Sequence, residues 1–410
     1  MAANSVPVGV SINEVSALRG IRETLQWFTR EKQWINDIHL QICRVPAPTF
    51  LEQQRAEWMA AQFRHFGWET QIDRAGNVLA TLGPPGDGPY VALTAHLDTV
   101  LSPRNKDDIA LDTDGKLRGP GVSDNGAGLA ALLAVAKATQ SSPRQEDLPG
   151  ELLLVANVGE EGEGNLSGMR FLCKQSVIGR KIASFLVLDG ATTDHITCQA
   201  LGSRRFEVVF TGPGGHSWSD FGIGNPIHAL SRAVALWTDV RLNGGPRSSF
   251  NVGVLEGGTS INSIPSSARA KVDIRSESNE KMDELVGLLN GAVERAQELE
   301  NERANSGKVS ARVKEIGARP AARLPDGSAI LRFIKAVDAH LGIRSRLDCA
   351  STDANIPLSM GIPALSIGAG GSGGGAHTAQ EWFSPEGRDL GLKRIFLTLS
   401  LLLRDLPPAP

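Results

Sequence analysis

Apolar positions along this chain change their spacing more than once. Residues 51–66 (LEQQRAEWMAAQFRHF) repeat at helical spacing and stop at Gly67, a normal helix terminator. Three short runs, at residues 90–96 (YVALTAH), 151–158 (ELLLVANV) and 184–188 (SFLVL), are instead almost continuously hydrophobic. Such runs predict strands covered on both faces, as in a parallel sheet flanked by helices. Between the first two, the Ala/Leu-rich stretch 125–138 predicts a helix introduced by Asp124.

The pattern changes near Ser203. Residues 205–210 alternate like a half-exposed strand, 226–240 read as a helix, and 250–254 and 269–275 again read as strands. A charged amphipathic helix over 280–303 follows. This strand-helix-strand-strand-helix run predicts a separate α+β domain inserted into the first. After Gly307 the alternation resumes with a strand to Ile316, a helix over 327–341 and a final helix over 387–404. The glycine run 368–376 (GAGGSGGGA) lies between structured signals and predicts a tight backbone turn. The expected division is therefore an α/β domain in two segments, 1–202 and 309–410, around an insert at 203–308.

Composition narrows the function more than the fold. Forty-two basic residues nearly balance 45 acidic ones, and aromatic residues make up 5% with a single tyrosine. Neither a nucleic-acid partner nor a membrane surface is expected. No run approaches 18 apolar residues, and residues 1–20 lack the basic and apolar regions of a signal peptide. Cys43, Cys173, Cys198 and Cys349 are scattered without a CxxC, which suits a reducing compartment, and a cytoplasmic location is expected.

The chemistry lies at the strand ends. Three predicted buried strands run into His96-Leu97-Asp98, Glu160-Glu161 and Asp189, and open α/β sheets bind ligands beyond the carboxyl ends of their strands. Asp124, in GVSDNGAG, opens the alanine-rich helix, and His377 follows the glycine run. Singly, each has an ordinary reading: a surface pair, a solvated acidic face, a helix N-cap for Asp124, a turn at Asp189-Gly190. Together they point to a metal centre. Imidazole and carboxylate suit zinc, manganese or cobalt, and a shared carboxylate lets two ions sit ~3.5–4 Å apart. There is no GxxxxGK[ST] and no HExxH, GAGGSGGG does not sit between a strand and a helix with a following acidic residue as a dinucleotide site requires, and GGTSINS lacks the GxSxG pattern.

The ordered set AHLDTV, GVSDNGAG, GEEGEG, LVLDG, GPGGHS and GGGAHTAQEW resembles the two-zinc exopeptidases that include peptidase T, glutamate carboxypeptidase, aminoacylase and succinyl-diaminopimelate desuccinylase. The likeness runs from about Ala47 to Arg404. It implies a zinc-exopeptidase-like α/β fold, a central mostly parallel sheet flanked by helices, with an inserted α+β lid that makes a homodimer. It also implies one metal on His96, Asp124 and Asp189 and a second on Asp124, Glu161 and His377, with a cis Asp124-Asn125 peptide. Asp98 would orient His96, and Glu160 would be the general base. For Glu160 and Glu161 to reach one site, the chain must turn, which Gly162 and Gly164 allow.

In the insert, the resemblance implies that His216 steadies the tetrahedral oxyanion, from the partner subunit in many relatives. It assigns substrate contacts to Asn262 in TSINSIP, Arg275 in VDIRS and Arg319 in GARPA; a guanidinium suits a substrate carboxylate. Aspartate at 189, with STDAN and GGAHTAQEW, leans toward peptidase T-like aminopeptidases of di- and tripeptides. An N-acyl-amino-acid or carbamoyl amidohydrolase on the same site is the alternative. A metal-binding protein without turnover is the reading from another class.

Overall fold

The computed structural model describes residues 11–141, 150–242 and 244–406, so the first ten residues of the stretch read above for a signal lie outside it. The chain forms two compact units, Met1–Gln199 with Arg323–Pro410, and Ala200–Ala322.

The first unit is built on a nine-stranded sheet. Its order is Glu69–Ile72, Val78–Thr81, Glu151–Asn157, Tyr90–His96, Ile182–Leu188, Ala364–Ile367, His195–Ala200 and Ala322–Arg323, with Arg346–Ala350 also pairing to His195–Ala200. The four central strands run parallel, Val78–Thr81 pairs antiparallel with Glu151–Asn157 and Glu69–Ile72, and His195–Ala200 pairs antiparallel with Ala364–Ile367. Tyr90–His96 is buried at every position, which is why it reads as an unbroken apolar run. The helix Gly126–Ser141 is buried almost all round, and its many alanines let neighbours approach closely.

Residues 12–43, for which the apolar pattern assigned no element, form three helices, Ile12–Ala17, Arg19–Arg30 and Lys32–Cys43. In the last, Ile35, Ile38, His39, Ile42 and Cys43 make the buried stripe. The glycine run is also more than a turn. Ser372–Gly374 is extended and pairs with Trp382–Ser384, which in turn pairs with Leu117–Arg118.

The second unit is a four-stranded antiparallel sheet in the order Ser248–Gly257, Ser267–Ser276, Gly202–Thr211 and Ser310–Arg319. Alternate residues Phe206, Val208 and Phe210, with Ala268, Ala270, Val272 and Ile274, meet the helices Pro226–Thr238 and Asn279–Arg303 in one core. The unit runs on to Ala322, past the boundary expected at 308, because Ser310–Arg319 pairs with Gly202–Thr211 instead of opening the second α/β segment. Among the described residues no helix is long and apolar enough to cross a membrane, and none of the four cysteines is in a disulfide.

Candidate metal centre

Strand register brings the first candidate groups to one level. His96 ends its strand opposite Asn157, three residues before Glu160, and Ala95 lies opposite Leu188, just before Asp189. These are the carboxyl ends of parallel neighbours, the place where such sheets bind ligands.

Asp124 is delivered by the segment that opens the helix Gly126–Ser141, and the Asp124-Asn125 peptide is cis. The helix-capping bond comes from Asn125, not Asp124. Asn125 Oδ1 accepts from the amides of Gly128 and Gly190, each at 3.2 Å, and its Nδ2 donates to Leu188 O at 2.8 Å. Asn125 thus ties the helix start to the strand that carries Asp189. Both Asp124 oxygens are left facing imidazoles, Oδ1 at 3.1 Å from His96 Nε2 and Oδ2 at 3.2 Å from His377 Nε2.

His377 reaches the site with φ of +64°, a left-handed conformation uncommon for a residue with a side chain. Its Nε2 also lies 2.9 Å from Glu161 Oε1. Candidate ligand atoms of His96, Asp124 and Asp189 lie within 4.8 Å of one another, as do those of Asp124, Glu161 and His377, and those of His96, Glu160 and Glu161.

Asp98 does more than the sequence suggests. The ring Nδ1 of His96 sits 3.0 Å from the main-chain oxygen of Asp98 and 3.5 Å from its Oδ1. The carboxylate itself accepts from the amides of Glu160 (3.0 Å) and Glu161 (2.9 Å) and from the Thr49 hydroxyl (2.9 Å). One buried side chain therefore fixes the backbone of both glutamates. The turn expected there is present: Gly162–Gly164 forms a 3-10 turn closed by Gly164 N donating to Glu161 O.

The electrostatics are those of crowded carboxylates. Burial, followed by the neighbouring Asp124 charge, pushes Asp189 well above the usual carboxylate range. Burial raises Glu161 to about 7. Burial opposes ionisation of Asp124, yet the hydrogen bonds from His377 and His96 hold its carboxyl well below the ordinary value. Against the effect of burial, Asp124 and Asp98 hold His96 well above its usual value. The hydrogen bond to Asp124 raises His377 to about 9.

The donor set fits divalent cations. Each group built on Asp124 offers one imidazole and two carboxylates, three protein ligands that leave room for water or substrate. His96 is oriented through its second ring nitrogen, as metal-bound histidines commonly are.

Three supporting residues were given no role from the sequence, although Glu381 and Asp353 lie within motifs quoted above. Glu381 accepts from three amides of the Asp124 segment. His39 has Nε2 2.8 Å from Val122 O. Asp353, of STDAN, accepts from Asn157 Nδ2 at 2.7 Å, and burial raises it to about 7.

The glycine run is required by space. A Cβ on Gly368 would lie 1.7 Å from Ala191 O, and one on Gly373 would lie 2.1 Å from Ser123 Oγ. Gly368→Ala must therefore displace the backbone just after Asp189. Its zinc affinity is expected to fall on the order of 10–100-fold, measured by competition with a chromogenic chelator.

The other expected residues lie in the second unit. His216 pairs with Ser263, and Ser217 N donates to Asn262 O at 3.0 Å, so His216 and Asn262 are neighbours. His216 Nδ1 accepts from the amides of Trp218 (3.2 Å) and Ser219 (3.4 Å), which leaves the proton on Nε2. Arg275 and Arg319 both stand opposite Ser203, on strands either side of it, roughly 10 Å apart on one face. Arg275 is paired with Asp273 at 2.7 Å, and Arg319 is buried.

Cytosol non-specific dipeptidase of Escherichia coli is 30% identical over 285 residues, covering 62% of this chain and 55% of that protein, so the chain spans about half the length of this relative. Succinyl-diaminopimelate desuccinylase of Granulibacter bethesdensis is 28% identical over 279 residues, covering 64% of this chain and 70% of that one. A tripeptidase from Staphylococcus aureus shares the fold with a TM-score of 0.73 at 18% identity, covering 91% of this chain and 99% of that structure. Residues 92–399 match the description of one family, and with that match the chain belongs to Peptidase family M20/M25/M40, a family of metal-dependent peptidases and amidohydrolases.

Proposed function

We propose that this protein is a two-metal exopeptidase that hydrolyses the amide bond of di- or tripeptides bearing a free amine. The observation that carries the reading is Asp124, whose two oxygens face His96 and His377 separately. A carboxylate so shared would suit a pair of cations, one that His96, Asp124 and Asp189 would hold and one that Asp124, Glu161 and His377 would hold. Zinc is the metal proposed, with manganese or cobalt as substitutes.

When bound, the ion pair supplies a polarised carbonyl and a water of lowered pKa. Glu160 would take a proton from the water as its oxygen bonds the carbonyl carbon, and would give it to the amine as the C–N bond breaks. Asp98 holds the Glu160 amide, so the base has a fixed origin. The second unit is proposed as the lid and dimerisation domain. From it, His216 offers Nε2–H to the developing oxyanion, and Asn262, Arg275 and Arg319 hold the rest of the substrate. A homodimer in the cytoplasm is part of this reading, and four cysteines outside disulfides suit that location.

The peptidase assignment draws support from the dipeptidase and tripeptidase likenesses and from aspartate at 189. The desuccinylase relative favours a second reading, an N-acyl-amino-acid amidohydrolase. Free and N-acetylated di- and tripeptides, assayed with metal-stripped and zinc-loaded protein, separate them. Metal-dependent cleavage of the free-amine set alone is expected. Cleavage of the acetylated set instead makes the protein a deacylase. No cleavage of either with two ions bound leaves a metal-binding protein without turnover.

A further inference from the structure

One buried carboxylate beside the centre has no part in the proposed chemistry. Glu381 is 2% exposed and follows His377 by four residues. Its Oε1 accepts from the amides of Ser123 at 2.7 Å and Asp124 at 2.8 Å, and its Oε2 accepts from the amide of Gly121 at 2.8 Å. A carboxylate seated in converging backbone amides is a strong, directional anchor, because a full negative charge meets several fixed donors at once. The main chain repeats the link: Gly119 N donates to Glu381 O at 2.9 Å, and Trp382 pairs with Arg118.

The opposite side of the segment is held by a different device. His39 Nε2 lies 2.8 Å from Val122 O, and Arg388 Nη2 lies 2.6 Å from His39 Nδ1. Because a guanidinium only donates, Nδ1 accepts and Nε2–H donates to Val122. Residues 121–124 are thus gripped by their amides on one side and by a carbonyl on the other, with no ligand atom involved in either grip.

We propose that Glu381 is a positioning residue that couples the two metal-binding groups. It sits on the segment that carries His377 and holds the segment that carries Asp124, so the two ligands keep their mutual distance through one side chain. The inference rests on the reading of Asp124 as the bridging ligand. It assigns Glu381 an effect on metal affinity that a surface or packing glutamate lacks.

Glu381→Ala empties the amide nest, and a small carboxylate can refill it. The test measures zinc affinity of metal-stripped protein by chelator competition, in sodium formate and in sodium chloride of equal ionic strength, with wild type run in both. Weakening on the order of 10–100-fold is expected for Glu381→Ala in chloride, with recovery in formate that wild type does not show. Wild-type affinity in chloride, or no more recovery in formate than in chloride, overturns the proposal.

Should Glu381→Ala not fold, Glu381→Gln decides. It keeps the shape but turns an N–H toward an amide, so weakened zinc binding with a wild-type far-ultraviolet spectrum supports the role, and unchanged binding overturns it. Asp124→Ala separates the two levels of the argument. If Asp124→Ala binds two zinc ions as tightly as wild type, the bridging reading itself has failed. If it loses zinc while Glu381→Ala does not, only the coupling role of Glu381 has failed.

Discussion

Glu160→Gln is expected to keep zinc content and melting temperature near wild type while kcat falls by about 10²–10⁴-fold. Glutamine has nearly the same volume, and the amide of residue 160 still donates to Asp98. What disappears is the ability to accept a proton. Glu160 is buried with His96 and Glu161, whose candidate ligand atoms lie within 4.8 Å of its own. Steady-state kinetics beside metal analysis and a melting curve check the expectation. Full turnover with two ions bound would remove Glu160 as the base.

Asp98→Ala is expected to damage stability, metal affinity and turnover together, which distinguishes it from Glu160→Gln. Asp98 is 0% exposed, and its carboxylate serves two amides and one hydroxyl. Alanine leaves those donors without an acceptor in a buried place, at a cost on the order of 1–3 kcal/mol each and not strictly additive. The backbone of both glutamates is then free to move, so zinc affinity should drop on the order of 10–100-fold. Asp98→Asn retains one accepting oxygen and should fall between. Denaturant unfolding and zinc competition measure the two effects, and wild-type zinc binding in Asp98→Ala would sink the clamp.

The contrast between these two residues shows what a sequence displays and what it hides. The parallel strands were readable because burial on both faces leaves unbroken apolar runs, as at Tyr90–His96. The candidate site residues are readable because a strand end is where an apolar run gives way to His96, Glu160-Glu161 or Asp189. The role of Glu381, within GGGAHTAQEW, was not readable, since a carboxylate that binds backbone amides has the same letter as one that binds water. Its partners, Gly121, Ser123 and Asp124, are more than 250 residues away in the chain. The boundary near Ala322 was hidden for a related reason. An extended segment such as Ser310–Arg319 carries no mark of which sheet it joins until its partner Gly202–Thr211 is known.

The place of Ala364–Ile367 in the sheet has a consequence for the newborn chain. This strand lies inside the sheet, between Ile182–Leu188 and His195–Ala200, although it is synthesised long after both. The earlier strands wait with a gap that only a distant segment can close, a high contact order that slows folding. His377 and Glu381 follow that same late strand. A ribosome-bound chain ending before them already carries His96, Asp124 and Asp189 but neither the second imidazole nor its anchor. On the proposed two-metal reading, competence to hold a pair of ions therefore arrives only once residue 381 has been made, together with closure of the sheet.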